Sequence, residues 1–136
     1  MRGVVVGLMV PLALAGCAGS QATQAESAGG TVDTLIRTCA EDRPAASLEM
    51  LSTPARVALV NAPSALQGCL DLLGLRFAGV PRTTVERQLS ATRVVSVEAN
   101  DLTAAAELST PGGERSHVRL ENSRGEWFVT HGVSAQ

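Results

Sequence analysis

The sequence predicts an α+β domain in which N-terminal helices pack on a curved antiparallel sheet of about four strands. Three observations support this class. Apolar residues recur at helical spacing in the first half of the chain, up to Gly74. Apolar and polar residues alternate in the second half, from Val94 onward. Short turn signals separate the alternating segments, as in a meander of hairpins.

The chain begins with a segment that has the layout of a secretory signal. Arg2 precedes an apolar run from Val4 to Ala15, and small residues close the run. This run is too short to span a bilayer, which takes roughly 20 apolar residues, and Pro11 interrupts it. We therefore predict a signal peptide at residues 1–16, removed ahead of Cys17.

Small and polar residues make up the segment after the predicted signal. Residues 18–30 contain only Ala, Gly, Ser, Gln and Thr with a single acid, Glu26. Such a composition buries too little apolar surface to offset the entropy of ordering, so we predict a flexible tether over residues 17–30. The remaining residues, 31–136, suffice for one domain with a single core.

Four helical segments are expected in the first half of this domain. The first begins at Thr31, and prolines mark the first turn of the next two, at Pro44 and Pro54. The fourth follows the capping residue Ser64 and ends at Gly74. The apolar positions of the first and fourth segments are Val32, Leu35, Ile36, Cys39, Leu66, Cys69, Leu70 and Leu73.

Four strands are expected in the second half. They follow residues 75–93, a segment whose pattern does not distinguish a helix from a strand. Val94–Glu98 is rich in β-branched residues, and Leu102–Leu108 alternates apolar with polar or small residues. Alternation returns around Val118–Leu120 and again at Trp127–Val129, where Phe128 faces opposite to its neighbours. Turn signals rich in Asn, Gly and Pro separate the strands.

Composition and motifs favour binding over catalysis. The formal net charge is −2 and no basic run occurs, so nucleic-acid binding has no electrostatic support. No nucleophile elbow, phosphate loop or metal-ligand spacing is found, so we predict no catalytic residue, no metal and no cofactor. Asp71, His117 and His131 could act in acid–base chemistry, but Asp71 is expected to be a solvated helix residue, and neither histidine has a sequence-local partner.

Cys39 and Cys69 lie on the apolar faces of two predicted helices. In an exported protein, the two cysteines that remain besides Cys17 are expected to pair. The alternatives are two free buried thiols, or half of a metal site.

The residues Leu14-Ala15-Gly16-Cys17 resemble the lipobox of bacterial lipoproteins. In that family the cysteine thiol receives a diacylglycerol, the bond before it is cut, and the new amino terminus is usually acylated. The resemblance implies cleavage between Gly16 and Cys17, fatty acyl chains such as palmitate on Cys17, and a place on the extracytoplasmic side of the cell membrane. A secretory signal without lipid and a misassigned start before a cytosolic domain are the alternatives.

The order of helices and strands resembles the nuclear transport factor 2-like cone, as found in small actinobacterial lipoproteins. The segments that carry this resemblance are Val94-Val95-Ser96-Val97 and the closing hairpin from Val118 to Trp127, without the early hairpin usual between the helices. It implies a pocket inside the cone, with Leu66, Leu70 and Trp127 as candidate lining residues. The alternative is that these residues fill the core, since large aromatic side chains dominate small cores. The resemblance also implies a binding domain of the cell envelope, for a small apolar ligand or an envelope protein partner. The alternatives are an isomerase, cyclase or hydrolase of the same fold, and a passive structural subunit of an envelope complex.

Overall fold

The structure, a computed structural model, describes residues 4–77 and 79–130, with side chains from Ala22 onward. Within these residues helices precede strands, which confirms the predicted α+β class. The elements are α1 (Val4–Ala40), α2 (Pro44–Leu48), α3 (Thr53–Val60), α4 (Ala65–Leu73), α5 (Arg82–Ser90), β1 (Arg93–Ala99), β2 (Thr103–Ser109), β3 (Arg115–Ser123) and β4 (Glu126–Val129).

The four strands form one antiparallel sheet in the order β1-β2-β3-β4, which confirms the predicted meander. Each hairpin turn is built from residues suited to it. Asn100 Oδ1 accepts hydrogen bonds from the backbone N–H groups of Leu102 and Thr103, at 2.8 and 2.9 Å. Gly125, in the β3–β4 turn, has a φ of +86°, a conformation that side chains disfavour. Leu102, expected in the strand, lies in the first of these turns and is 72% exposed.

One face of the sheet packs on the helices and the other faces solvent. Buried and exposed residues alternate along β2 and β3, so the buried side chains of both strands enter the same core. The buried residues of β2, β3 and β4 are Ala104, Ala106, Leu108, Ser116, Val118, Leu120, Trp127 and Val129. The helices contribute Val32, Leu35, Leu59, Leu72 and Leu73, among others, to the same cluster.

The beginning of the ordered domain differs from the sequence-based prediction. Residues 17–30, predicted as a flexible tether, belong to α1. Ala28 is fully buried, and a Cβ added to Gly29 would lie 3.3 Å from Val97 Cγ2. Small side chains therefore let α1 approach the sheet closely, and alanine has the highest helix propensity. The tether prediction was wrong because it took small side chains as a lack of packing surface.

The helices after α1 follow local signals in the sequence. Ser64 accepts a hydrogen bond from the Gln67 backbone N–H at 3.1 Å and so caps α4. Gly74 ends α4 with a φ of +72°. Residues 75–93, which the sequence left open, contain α5, and this helix buries Val85 and Leu89.

The two edges of the sheet differ. At the β4 edge the segment Met50–Ser52 runs parallel to the strand: Val129 N–H donates to the Met50 carbonyl at 2.8 Å, and Ser52 N–H donates to the Val129 carbonyl at 2.9 Å. We call this junction the β4 seam. At the β1 edge, within the described part of the chain, the strand makes backbone hydrogen bonds to β2 alone.

Candidate binding surface

The β4 seam is flanked by two surface grooves that share one aromatic side chain, Phe128. Phe128 pairs with Glu121 on the outer face of the sheet, opposite in direction to the buried Trp127 and Val129. It is half-buried. We call Phe128 and these two grooves the Phe128 surface.

The first groove lies between the start of α3 and the ends of β3 and β4, and has a volume of about 380 Å³. Its walls combine apolar and charged groups, including Pro54, Arg56 and Glu121. Arg56 Nε donates to the Leu51 carbonyl at 3.1 Å, which fixes the guanidinium beside the seam. Ser52 also lines the groove, and its Oγ is buried without a hydrogen-bond partner among the described residues.

The second groove lies between α1 and the β3–β4 turn, and has a volume of about 330 Å³. Met50, Trp127 and Phe128 supply its apolar lining, and Glu49 and Glu126 supply acidic groups. Trp127 Nε1 donates to Gln24 Oε1 at 3.2 Å, so the indole is oriented by α1. The two grooves thus surround the half-buried ring of Phe128 with one arginine, Arg56, and with three glutamates, Glu49, Glu121 and Glu126.

The three predicted pocket residues are divided between core and surface. Leu70 and Trp127 belong to the buried core, and Leu66 packs against it half-buried. Trp127 additionally borders the second groove. Their role in a pocket stays a prediction. Phe128 was not among the residues predicted from the sequence. The available signal was that its side chain faces the side of the strand opposite to Trp127 and Val129.

The outer face of the sheet carries a polar network centred on Glu107. Arg115 Nη1 donates to Glu107 Oε2 at 2.9 Å, and Ser96 Oγ donates to Glu107 Oε1 at 3.3 Å. The hydrogen bond from Arg115 holds the pKa of Glu107 below its ordinary value. Desolvation, the next largest effect, raises the pKa, and the charge of Arg115, the Ser96 hydrogen bond and the charge of His117 lower it. A carboxylate held ionised by an arginine is a poor proton acceptor.

Two of the candidate acid–base residues, Asp71 and His117, lie on different elements, α4 and β3. Asp71 is exposed and accepts a hydrogen bond from Gln67 Nε2 at 2.9 Å, as expected of a solvated helix residue. His117 is exposed opposite Glu107 on the polar face of the sheet. His131 lies outside the described residues. Among the residues that are described, no group of three His, Cys, Asp or Glu side chains could hold a metal ion.

Cys39 and Cys69 lie at disulfide distance, with their Cα atoms 6.0 Å apart. Both are buried, and they join α1 to α4. Ser47 lies beside them: its Oγ is 3.6 Å from Cys39 Sγ and shares a 2.8 Å hydrogen bond with Thr38 Oγ1. These two helices correspond to the first and fourth helical segments, on which the sequence analysis placed the two cysteines.

Gly16 and Cys17, the predicted cleavage and lipidation site, belong to α1. Only their backbone is within the described part of the chain. In the described portion of the chain, no helix has the length and apolarity that crossing a membrane requires.

No protein-family model, curated protein or solved structure matches this chain.

Proposed function

We propose that this protein is a lipid-anchored, extracytoplasmic domain of the bacterial cell envelope that binds another envelope protein through its Phe128 surface. A trimmed nuclear transport factor 2-like domain with this role fits the order of helices and strands. The proposed activity is recognition, without a chemical step.

The division of the three cysteines carries the proposal. Cys39 and Cys69 lie at disulfide distance inside the core, and buried disulfides are typical of exported proteins. The third cysteine, Cys17, stands at the end of the N-terminal apolar run, directly after Leu14-Ala15-Gly16. Each cysteine therefore has a role that suits an exported lipoprotein, and none is left over.

Metabolic labelling tests the anchor. When the full chain is expressed in a bacterial host with radioactive palmitate, we expect label on the wild-type protein and none on Cys17→Ser. The matched control is Cys69→Ser, which removes a cysteine elsewhere and should keep its label if the protein accumulates. Label that persists in Cys17→Ser, or an unlabelled wild-type protein in the membrane fraction, would refute lipidation at this residue.

The Phe128 surface is the proposed contact because it combines features of protein interfaces. A half-buried aromatic side chain lies between two grooves that include Arg56, Glu121 and Glu126. Aromatic residues and arginine are enriched where proteins bind one another, with charged groups at the rim. The inner face of the sheet is instead packed against the helices, so an internal ligand would have to displace core side chains such as Leu108 and Leu120.

Site-specific photocrosslinking tests the contact. A photoreactive phenylalanine analogue at position 128 of the full chain, irradiated in intact cells, is expected to give one discrete adduct with another envelope protein. The matched control places the analogue at Phe77, which is also half-buried but lies between α4 and α5. Equal adducts at both positions, or none at position 128, would contradict a partner site at Phe128.

A further inference from the structure

The outer edge of β1 presents unpaired backbone groups. Within the described chain, β1 is hydrogen-bonded to β2 and to no other segment, whereas the opposite edge of the sheet is covered at the β4 seam. Val95, in the middle of β1, is 46% exposed. An uncovered strand edge is a template for pairing with another strand.

The pairing of β1 with β2 identifies which groups are free. Asn100 N–H donates to the Thr103 carbonyl at 2.9 Å, so these residues form a hydrogen-bonded pair at the end of the hairpin. Hydrogen-bonded and non-hydrogen-bonded pairs alternate along antiparallel strands. Counting along the register, through the irregularity between Val94 and Ser96, puts Val94, Val97 and Ala99 in non-hydrogen-bonded pairs. Their N–H and C=O groups therefore point away from β2, toward the open edge.

We propose that a second copy of this chain pairs antiparallel with β1, across a two-fold axis between Val95 and Ser96. This arrangement sets Arg93 opposite Glu98 of the second copy, and by symmetry Glu98 opposite the second Arg93. Both residues are exposed on the outer face of the sheet, so opposite charges meet at two places. The two four-stranded sheets join into one.

The positions of the inner side chains favour this register over the two that differ from it by one residue. It pairs Val94 with Val97 of the second copy, and both side chains face the helices. Their free backbone groups also meet. A shift of one residue in either direction pairs Val94 with Glu98 or with Ser96, which lie on the outer face, and so places an inner side chain opposite an outer one.

Space for the second copy exists beneath the start of β1. A groove of about 410 Å³ lies there, lined by Ile36, Thr92 and Val94 together with the charged residues Asp33, Arg37 and Arg93. In the proposed register, Val97 and Ala99 of the second copy lie beside Val94 and Thr92, with their inner side chains over this groove. These two side chains are apolar and only partly buried in the single chain, so the pairing would bury them further.

Charge exchange tests the pairing. The full chain, purified in a mild detergent, is expected to be a dimer by size-exclusion chromatography with multi-angle light scattering. Arg93→Glu and Glu98→Arg each place like charges opposite one another at two positions, and each should weaken dimerisation by about tenfold. The double variant Arg93→Glu/Glu98→Arg restores opposite charges and should return the dimer to wild-type strength.

Arg124→Glu is the matched control, because it makes the same change at an exposed residue of the β3–β4 turn, at the other edge of the sheet, and should leave the dimer unchanged. Circular dichroism of each variant separates loss of pairing from loss of folding. A wild-type chain that is monomeric at all concentrations, single variants that dimerise like wild type, or a double variant that fails to recover would each overturn the proposal.

Discussion

Replacement of Trp127 by alanine is expected to lower the free energy of unfolding by about 3–5 kcal/mol. Trp127 is 5% exposed, and its indole connects β4 to α1 through the 3.2 Å hydrogen bond to Gln24. Removing the side chain leaves a cavity where the sheet meets the longest helix. Urea unfolding followed by far-ultraviolet circular dichroism measures the change, since the variant lacks a tryptophan signal.

Two control variants separate packing from hydrogen bonding. Trp127→Phe keeps an aromatic ring but removes the indole N–H, and Gln24→Ala removes only the acceptor. We expect each to cost less than Trp127→Ala, with about 0.5–1.5 kcal/mol lost in Gln24→Ala. If Trp127→Ala lost less than about 1 kcal/mol, the assignment of Trp127 to the core would be wrong.

Removal of the Cys39–Cys69 pair is expected to have a comparable effect. Cys39 and Cys69 are separated by 30 residues in sequence. Closing a loop of this length stabilises a protein by about 3–4 kcal/mol in the chain-entropy model. We therefore expect the double variant Cys39→Ala/Cys69→Ala, compared with the oxidised wild type, to lose about this much free energy of unfolding.

The third cysteine supplies the matched control. Cys17→Ala should leave the free energy of unfolding of the oxidised protein unchanged, and addition of a reductant should destabilise Cys17→Ala while leaving the double variant unaffected. Wild-type protein that is equally stable with and without reductant would show that the two thiols do not form a stabilising disulfide.

The correct parts of the sequence-based prediction rest on local signals. The capping residue Ser64 and the terminal Gly74 define α4 through interactions within a few residues of each end. The alternation in β2 and β3 likewise records which side of each strand meets the core. Such features depend on neighbours in the sequence and are visible without a structure.

The incorrect or missing parts depend on residues far apart in the chain. Ala28 and Gly29 were predicted to lie in a tether because their packing against the sheet depends on strands that follow much later in the sequence. The β4 seam joins Met50–Ser52 to a strand that follows much later in the sequence, and no local pattern announces it. The grooves on either side of Phe128 are lined by residues of that junction, so the grooves could not be predicted from the sequence.

The continuity of α1 sets how far the domain can stand from a membrane. For a chain anchored at Cys17, the first core residue, Ala28, lies about 16 Å along the same helix. An extended segment with the same number of residues would reach about 36 Å. For such a chain, a helical stalk would hold the domain closer to the lipid headgroups than an extended segment would. The proposed envelope partner would then bind the domain near the bilayer surface.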